Sequence, residues 1–401
     1  MLDRLTIERI GGEAGPILIG LSGGGDSAAL LHLLIGEFGA ARLHAAIVDH
    51  CMREGSPARA EAALQIARDA GVSAALLRPE GSPPSASQEH ARRLRYTLLC
   101  AHARTRGARV IALAHTADDQ AETVFMRAAS GSGWRGLAGM AALDAAPLWP
   151  EGRGLLLARP LLSGRRAALR AWLRERGAHW IEDPANEDAH YERVRVRARL
   201  AALEAEGLDP MRLARAAPKL RALAETVDAA ARALIASAVS FAEQEIVLDC
   251  AAWRGGGSAR RRALSVLIAA AAGAAQTPEV EAAARLEVQI GTAAFRGASL
   301  GGATLTPRRG KIHIGRDAGA VTGRAGVPPL EPLALAERVE IVWDGRLALT
   351  ATAPDCVLMP GAAPQVAQAG RVVALAEAAA TGLVRARWLM EQHVKHRLGP
   401  V

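Results

Sequence analysis

PILIGLSGGGDS, Pro16 to Ser27, holds the transition on which the fold turns. Its first half is a short apolar run ending in Gly and Ser, the pattern of a strand buried on both faces of a parallel sheet. Its second half is a glycine turn, and a helix is expected from Ser27 to Gly36. Ligands of an open α/β sheet bind beyond the carboxyl ends of its strands, where this turn lies. Glycines without Cβ let the backbone close tightly around an anion. The free N–H groups of the following helix, helped by its dipole, then point at that anion. Ser22 and Ser27 add hydroxyls to the backbone of Gly23, Gly24 and Gly25. Asp26 does not suit a phosphate, because like charges repel, and fits instead as a ligand of the Mg²⁺ that travels with ATP. The loop lacks the Lys of G-x-x-x-x-G-K-[ST], so it is not the loop of ordinary NTPases. The plainer reading of the same six residues is a strand–helix turn capped by Ser and Asp.

Outward from this turn, strand and helix signals alternate. Strands are expected at Leu43–Asp49, Ser73–Arg78, Arg109–His115 and Gly154–Pro160. Helices are expected at Ser56–Ala70, in an Arg-rich stretch ending near Thr105, and at Ala117–Ala128 and Leu161–Arg176. Such alternation implies right-handed crossovers and an α/β fold with a doubly wound parallel sheet. Leu208 to about Ala236 reads as an Ala-rich helix that Pro218 should break or kink. From Phe241 the character changes to α+β. Short strands are expected at Glu245–Cys250, Leu286–Ile290, Gly302–Thr306, Lys311–Gly315 and Val339–Trp343, with Asp344-Gly345 as a hairpin turn. The expected organisation is a catalytic domain over 1–205, a helical linker over 206–240 and a smaller α+β domain over 241–401.

The formal net charge is +8, and only Lys219, Lys311 and Lys395 are lysines, so the basic charge is nearly all Arg. That balance favours nucleic acid or other anionic partners, and equally describes a solvated surface written in Arg. The cysteines Cys51, Cys100, Cys250 and Cys356 form no C-x-x-C pair, against a disulfide scaffold, a zinc ribbon or a Cys-ligated cluster. The start of the chain has no apolar core of signal-peptide length. The most apolar run, Ala263–Ala275, is shorter than the ~20 residues that span a bilayer, and reads as a buried helix. The expectation is a soluble, cytoplasmic protein with no membrane contact.

Three further segments carry chemistry. HTADDQAET, His115–Thr123, starts where the fourth strand ends, on the same sheet edge as the glycine turn. On a helix Asp118, Asp119 and Glu122 are neighbours. Three carboxylates so close repel unless a cation, Mg²⁺ or a substrate ammonium, joins them. Thr116 with Asp119 also fits a capping box. VDHCMR, Val48–Arg53, places Asp49 and His50 on that edge too, where they serve a ligand or simply a polar strand end. EHARRLRY, Glu89–Tyr96, sets Arg92 and Arg95 on one helix face, where guanidinium forks suit carboxylates or phosphates. Gly131, Gly133 and Gly136 satisfy G-x-G-x-x-G but follow a helix, so this is a glycine-rich loop near the site and not a dinucleotide fingerprint.

Taken together, SGGGDS, VDHCMR with Ser56 and Glu61, ARRLRY, AHTADDQAETVFMR, GSGWRGLAGM, ARPLL with Arg165 or Arg166, and WIEDPANEDAHYER with Arg197 resemble the tRNA(Ile)-lysidine synthetase family. That family belongs to the PP-loop ATP pyrophosphatases, whose fold is adenine nucleotide α-hydrolase-like. The resemblance runs from Pro16 to Arg199. One position departs: Val194 stands where the family usually has Asn. The resemblance implies adenylation of the wobble cytidine of an isoleucine tRNA with a CAU anticodon, then attachment of free L-lysine to carbon-2. AMP and pyrophosphate leave, and ATP and Mg²⁺ are required.

It further implies roles for single residues. Ser22, Gly23, Gly24, Gly25, Asp26, Ser27, His50 and His115 bind ATP, with Asp26 on the metal. Asp118, Asp119 and Glu122 hold lysine. Asp26, Arg95, Asp119, Glu122 and Arg197 form the catalytic set, and Arg165, Arg166, Arg193 and Arg197 contact tRNA. The oligomeric state stays open, a homodimer included. Rival readings are a tRNA thiolase, which usually needs paired cysteines, and an amide synthetase like those of NAD or GMP, which leaves EDPAN and the basic charge unexplained. A tRNA-binding protein with a decayed ATP site is the third, and the intact acidic residues argue against it.

Overall fold

A computed structural model describes residues 1–51, 55–79, 87–182, 190, 192–253, 256–292, 294–324, 326–361 and 363–399. The chain forms two compact units, Met1–Glu225 and Thr226–Gly399. In the first, strands β1 (Ile17–Gly20), β2 (Leu43–Val48), β3 (Ser73–Leu77), β4 (Val110–Ala112), β5 (Leu143–Ala145) and β6 (Leu156–Ala158) form one sheet in the order β3-β2-β1-β4-β6-β5. Every neighbouring pair is parallel except β5 with β6. The antiparallel edge strand β5 was not expected from the sequence. At three residues it is too short to show a period.

The helices of this unit are α1 (Arg4–Gly11), α2 (Gly25–Phe38), α3 (Ser56–Asp69), α4 (Gln88–Thr105), α5 (Ala117–Ala129), α6 (Trp134–Leu137), α7 (Arg166–Glu175) and α8 (Glu192–Ala205). Alternation along the buried strands sorts them onto two faces. Ile17, Ile19, Leu43, Ala45, Ile47 and Val110 pack with Leu31 and Leu34 of α2, Leu64 of α3 and Leu169 of α7. Leu18, Ala46, Ile111 and Leu157 pack with Tyr96, Leu99 and Ala103 of α4. Truncating one of these fully buried leucines to Ala costs roughly 2–5 kcal/mol. The strand order turns back between β1's two neighbours, β2 and β4. That reversal is where an open α/β sheet leaves a crevice at the carboxyl ends of its strands.

Helix α9, Met211–Ala238, carries the boundary between the units and contains Pro218. The expected break does not occur. Proline lacks one N–H, so only the carbonyl four residues earlier loses a helical donor, and the flanking turns persist.

The second unit contains an antiparallel sheet in the order β7-β8-β11-β10-β9, from β7 (Val239–Phe241), β8 (Glu245–Asp249), β9 (Ala298–Leu300), β10 (Ala303–Arg308) and β11 (Lys311–Arg316). Helix α10 (Ser258–Ala272) buries Ala263 through Ala272 without a break. Beyond it lie a four-stranded and a three-stranded sheet. Asp344 and Gly345, both at positive φ, turn the chain between Glu340–Trp343 and Leu347–Ala351. Leu286–Ile290, expected as a strand, is the end of helix α11 (Val280–Ile290). Its buried residues Ala283, Leu286 and Glu287 recur at helical spacing, and LEVQI alone is short enough to mimic alternation. Among the described residues no helix is long and apolar enough to cross a membrane.

Candidate active site

The β1–α2 turn is held by its own serines. Ser27 Oγ donates to Gly24 O at 2.9 Å and lies 3.1 Å from Ser22 Oγ, while Ser22 N donates to Ser27 Oγ at 3.3 Å. Gly23 has φ +83°, and a Cβ there would sit 2.4 Å from Ile181 Cδ1 and 3.0 Å from Ala63 Cβ. Ile181 N also donates to Gly23 O at 2.8 Å, so the chain after α7 lies directly on the turn. The N-cap of α2, Gly24, offers no side chain, so the first N–H groups of the helix have no capping acceptor. An anion there meets backbone donors and the positive end of a helix.

Asp26, in the first turn of α2, meets the start of α7. Its Oδ2 accepts from Arg166 Nε at 2.8 Å, while its buried Oδ1 has no partner. Burial raises the Asp26 pKa, against the pull of Arg166. An unpartnered, buried carboxylate oxygen beside a phosphate cradle suits Mg²⁺, which takes one or two carboxylates plus phosphate oxygens. Among the described residues no group of three metal-ligating side chains exists, so the phosphates would have to complete such a shell.

Helix α5 begins with the capping box. Asp119 Oδ2 accepts from Thr116 N at 2.9 Å and from Thr116 Oγ1 at 2.8 Å, and Asp119 N donates back to Thr116 Oγ1. The capping reading of Asp119 is therefore met, and its other oxygen, Oδ1, accepts from Arg166 Nη2 at 2.9 Å. Burial alone would raise the Asp119 pKa. Arg166 and the Thr116 bonds outweigh it and hold the group below the usual carboxylate range. Glu122, 2 % exposed, accepts from Arg197 Nε of α8 at 2.6 Å and lies 3.6 Å from Arg166 Nη1. Arg197 makes this pair with Val194 in place.

Asp118 faces another way. Its Oδ2 accepts from the backbone N of Arg166 at 2.8 Å, and its Oδ1 pairs with Arg165 at 3.4 Å. Arg165 is the N-cap of α7 and supplies no cap of its own, so Asp118 caps that helix from α5. Gln120 ties down the glycine-rich segment by donating to Met140 O at 2.9 Å and accepting from Met140 N at 2.8 Å.

The opposite flank is basic. His115 Nδ1 and His50 Nδ1 are buried without partners. Burial, reinforced by Arg159, Arg193 and Arg92, pushes His115 down to about 3. Burial and Arg95 push His50 down to about 4. Both imidazoles are neutral at pH 7 and present an acceptor and a donor. Arg95 lies within electrostatic range of Arg92 and Arg193. Asp49, 1 % exposed, is consumed locally by Ser56, Cys51 N and Arg78. Arg159, almost wholly buried at the end of β6, donates to Ala141 O at 2.7 Å. Sequence reading passed over it as part of ARPLL, although a charged residue at the carboxyl end of a core strand was the signal. Of the arginines expected on tRNA, Arg165 pairs with Asp118 of α5, and Arg166 pairs with Asp26 of α2 and Asp119 of α5. Of the EDPAN segment, residues 183–186 lie outside the described residues, as do Met52 and Arg53 of VDHCMR.

One sheet edge thus joins a bare helix start, an acidic pocket and a basic flank. Residues 5–204 match the family model of the PP-loop domain. A tRNA(Ile)-lysidine synthase of Hyphomonas neptunium is 40% identical over 309 residues, covering 76% of this chain and 82% of that one. The chain belongs to the tRNA(Ile)-lysidine synthase family. Its relatives there are ligases that form a carbon–nitrogen bond. A second relative, from Mesorhizobium japonicum, is 37% identical over 342 residues, covering 82% of this chain and 71% of its own. Among solved structures, the U34-tRNA thiolase NcsA of Methanococcus maripaludis aligns with a TM-score of 0.44 at 16% identity, covering 54% of this chain and 76% of that one.

Proposed function

We propose that this chain activates the wobble cytidine of a CAU-anticodon isoleucine tRNA with ATP and joins free L-lysine to carbon-2 of the base. The observation that carries this reading is an uncapped helix start beside a pocket of three carboxylates, Asp26, Asp119 and Glu122, in which Asp26 Oδ1 has no partner. One part suits phosphates and the other suits a cation. ATP bound by the Ser22–Ser27 turn would lie with its nucleoside toward the neutral imidazoles of His50 and His115. In the first step the base oxygen attacks the α-phosphate and pyrophosphate leaves, its charge received by the N–H groups of the turn. Asp26 would hold Mg²⁺, which would supply partial neutralisation of that charge.

In the second step the lysine side-chain ammonium lies between Asp119 Oδ1 and Glu122, passes a proton to one of these carboxylates, and attacks carbon-2 as the bond from carbon-2 to the adenylated oxygen breaks and AMP departs. Arg197 positions Glu122 through their pair. Arg95, with Arg92 and Arg193, meets tRNA phosphates or the lysine carboxylate. The target base leaves its stack to reach this edge. Asp118 acts on Arg166 and α7 instead of on the amine. In domain terms, 1–205 performs the chemistry and 241–401 contributes tRNA binding.

Incorporation of labelled lysine into a CAU-anticodon isoleucine tRNA transcript tests this. ATP-dependent label that disappears when the wobble cytidine is replaced is expected. No label, with AMP and pyrophosphate released only when a sulfur donor or another acceptor is supplied, would overturn it.

A further inference from the structure

Arg166 is the first residue of α7, and its guanidinium reaches three carboxylates on two other helices. Nε lies 2.8 Å from Asp26 Oδ2, Nη2 lies 2.9 Å from Asp119 Oδ1, and Nη1 lies 3.6 Å from Glu122 Oε1. Its backbone N–H is held by Asp118 at 2.8 Å, so the stem is anchored while the head reaches across. These contacts raise the Arg166 pKa further, although burial opposes them. The oxygens it uses on Asp119 and Glu122 are the ones an incoming ammonium group would need. The oxygen it uses on Asp26 belongs to the carboxylate best placed for a nucleotide-bound metal.

We propose that Arg166 is an internal cation that fills the amine site of the free enzyme and couples that site to the nucleotide site. Bound metal and nucleotide draw Asp26 away and remove one of the guanidinium's three anchors. The hold on Asp119 and Glu122 then weakens, and the substrate ammonium displaces the arginine. Nucleotide binding therefore raises affinity for the amine, and by linkage the amine raises affinity for nucleotide equally. The inference rests on Asp119 and Glu122 being the amine site. A guanidinium that merely braced the pocket would have the opposite signature, because its removal would loosen the carboxylates and weaken amine binding.

The test is calorimetric titration of L-lysine into the full chain, with and without Mg²⁺ and a non-hydrolysable ATP analogue. The proteins are wild type, Arg166→Gln and Arg166→Lys. An arginine that fills the site about nine-tenths of the time lowers apparent affinity about tenfold. Wild type should therefore bind lysine about tenfold more tightly once the analogue is present. Arg166→Gln should bind it that tightly without the analogue, and the analogue should then add about twofold or less. Arg166→Lys, which keeps a cation but fewer donors, should fall between. Lysine binding to Arg166→Gln that is weaker than or equal to wild type, or an undiminished effect of the analogue, overturns the proposal. Should the Gln variant not fold, Arg166→Lys decides, because affinity no higher than wild type overturns it equally. Absence of lysine binding in every protein sinks the amine reading alone. The titration of Mg²⁺ with the analogue then decides for Arg166: tighter binding to Arg166→Gln sustains the internal cation, and unchanged binding removes it.

Discussion

Two arginine–carboxylate clusters, one in each unit, use the same chemistry in opposite proportions. In the second unit one carboxylate, Asp344, sits between two arginines. Its Oδ1 meets Arg316 Nη2 at 2.9 Å, and its Oδ2 meets Arg346 Nη2 at 2.7 Å and Arg346 Nε at 2.8 Å. Both oxygens are consumed, and the cluster pins the turn at Asp344-Gly345. In the first unit the proportion is reversed, and Arg166 alone serves three carboxylates. Asp26 Oδ1 there has no partner. A saturated cluster is finished by folding, whereas an unsaturated one at a sheet edge has capacity left for a ligand. An orphaned oxygen marks the site better than the number of ion pairs does.

Asp26→Ala should produce the largest effect, a loss of roughly 10³-fold in AMP formation, with tRNA affinity kept within a few fold. Joint loss of tRNA binding would show that Asp26 is structural, like Asp344. Asp344→Ala should do the converse. It leaves the nearly buried Arg346 uncompensated and should lower stability by about 3–5 kcal/mol in denaturant unfolding. A stability change near zero would erase the contrast between the clusters.

Gly23→Ala should follow, because a side chain at φ +83° also collides with Ile181. A misplaced turn of this size costs about 10²-fold in turnover, read as pyrophosphate exchange, while the fold of the sheet is spared. Asp118→Ala removes the external cap of α7 and should cost about 1 kcal/mol of stability. An effect on lysine affinity with unchanged stability would instead return Asp118 to the amine site.

The smallest effect concerns pH. His50 and His115 have folded pKa values of about 4 and 3, below their usual 6.5. The unfolded chain therefore binds protons that the folded one refuses, and stability falls as pH drops from about 6.5 toward 4. His115→Gln should make that slope shallower, measured as thermal midpoint against pH. An unchanged slope would remove His115 from the buried set.

Much of the first unit was legible because its signals are local. Pro16–Ser27 carries a buried strand, a turn that only glycine fits and a helix start in twelve consecutive residues, and the parallel alternation around it repeats the pattern. HTADDQAET was legible as a capped helix start, and the helix fixes which of its carboxylates are neighbours. LEVQI was misread because five residues satisfy both periods, and only burial of Ala283 and Leu286 on one side selects the helix.

By itself the sequence determined the family, the sheet edge on which the candidate residues gather, and the residue types present there. The tertiary structure alone decided the pairing. Arg166 lies 140 residues from Asp26 and 47 from Asp119, and nothing in its neighbourhood marks it as their partner. Its pairing follows from α7 packing beside α2, which depends on Leu169 and Leu173 entering the core with Leu31 and Leu34. Local patterns encode conformation, because backbone preferences act over a few residues. Charge balance at a site is a property of distance in space, and distance is set only once the helices have packed.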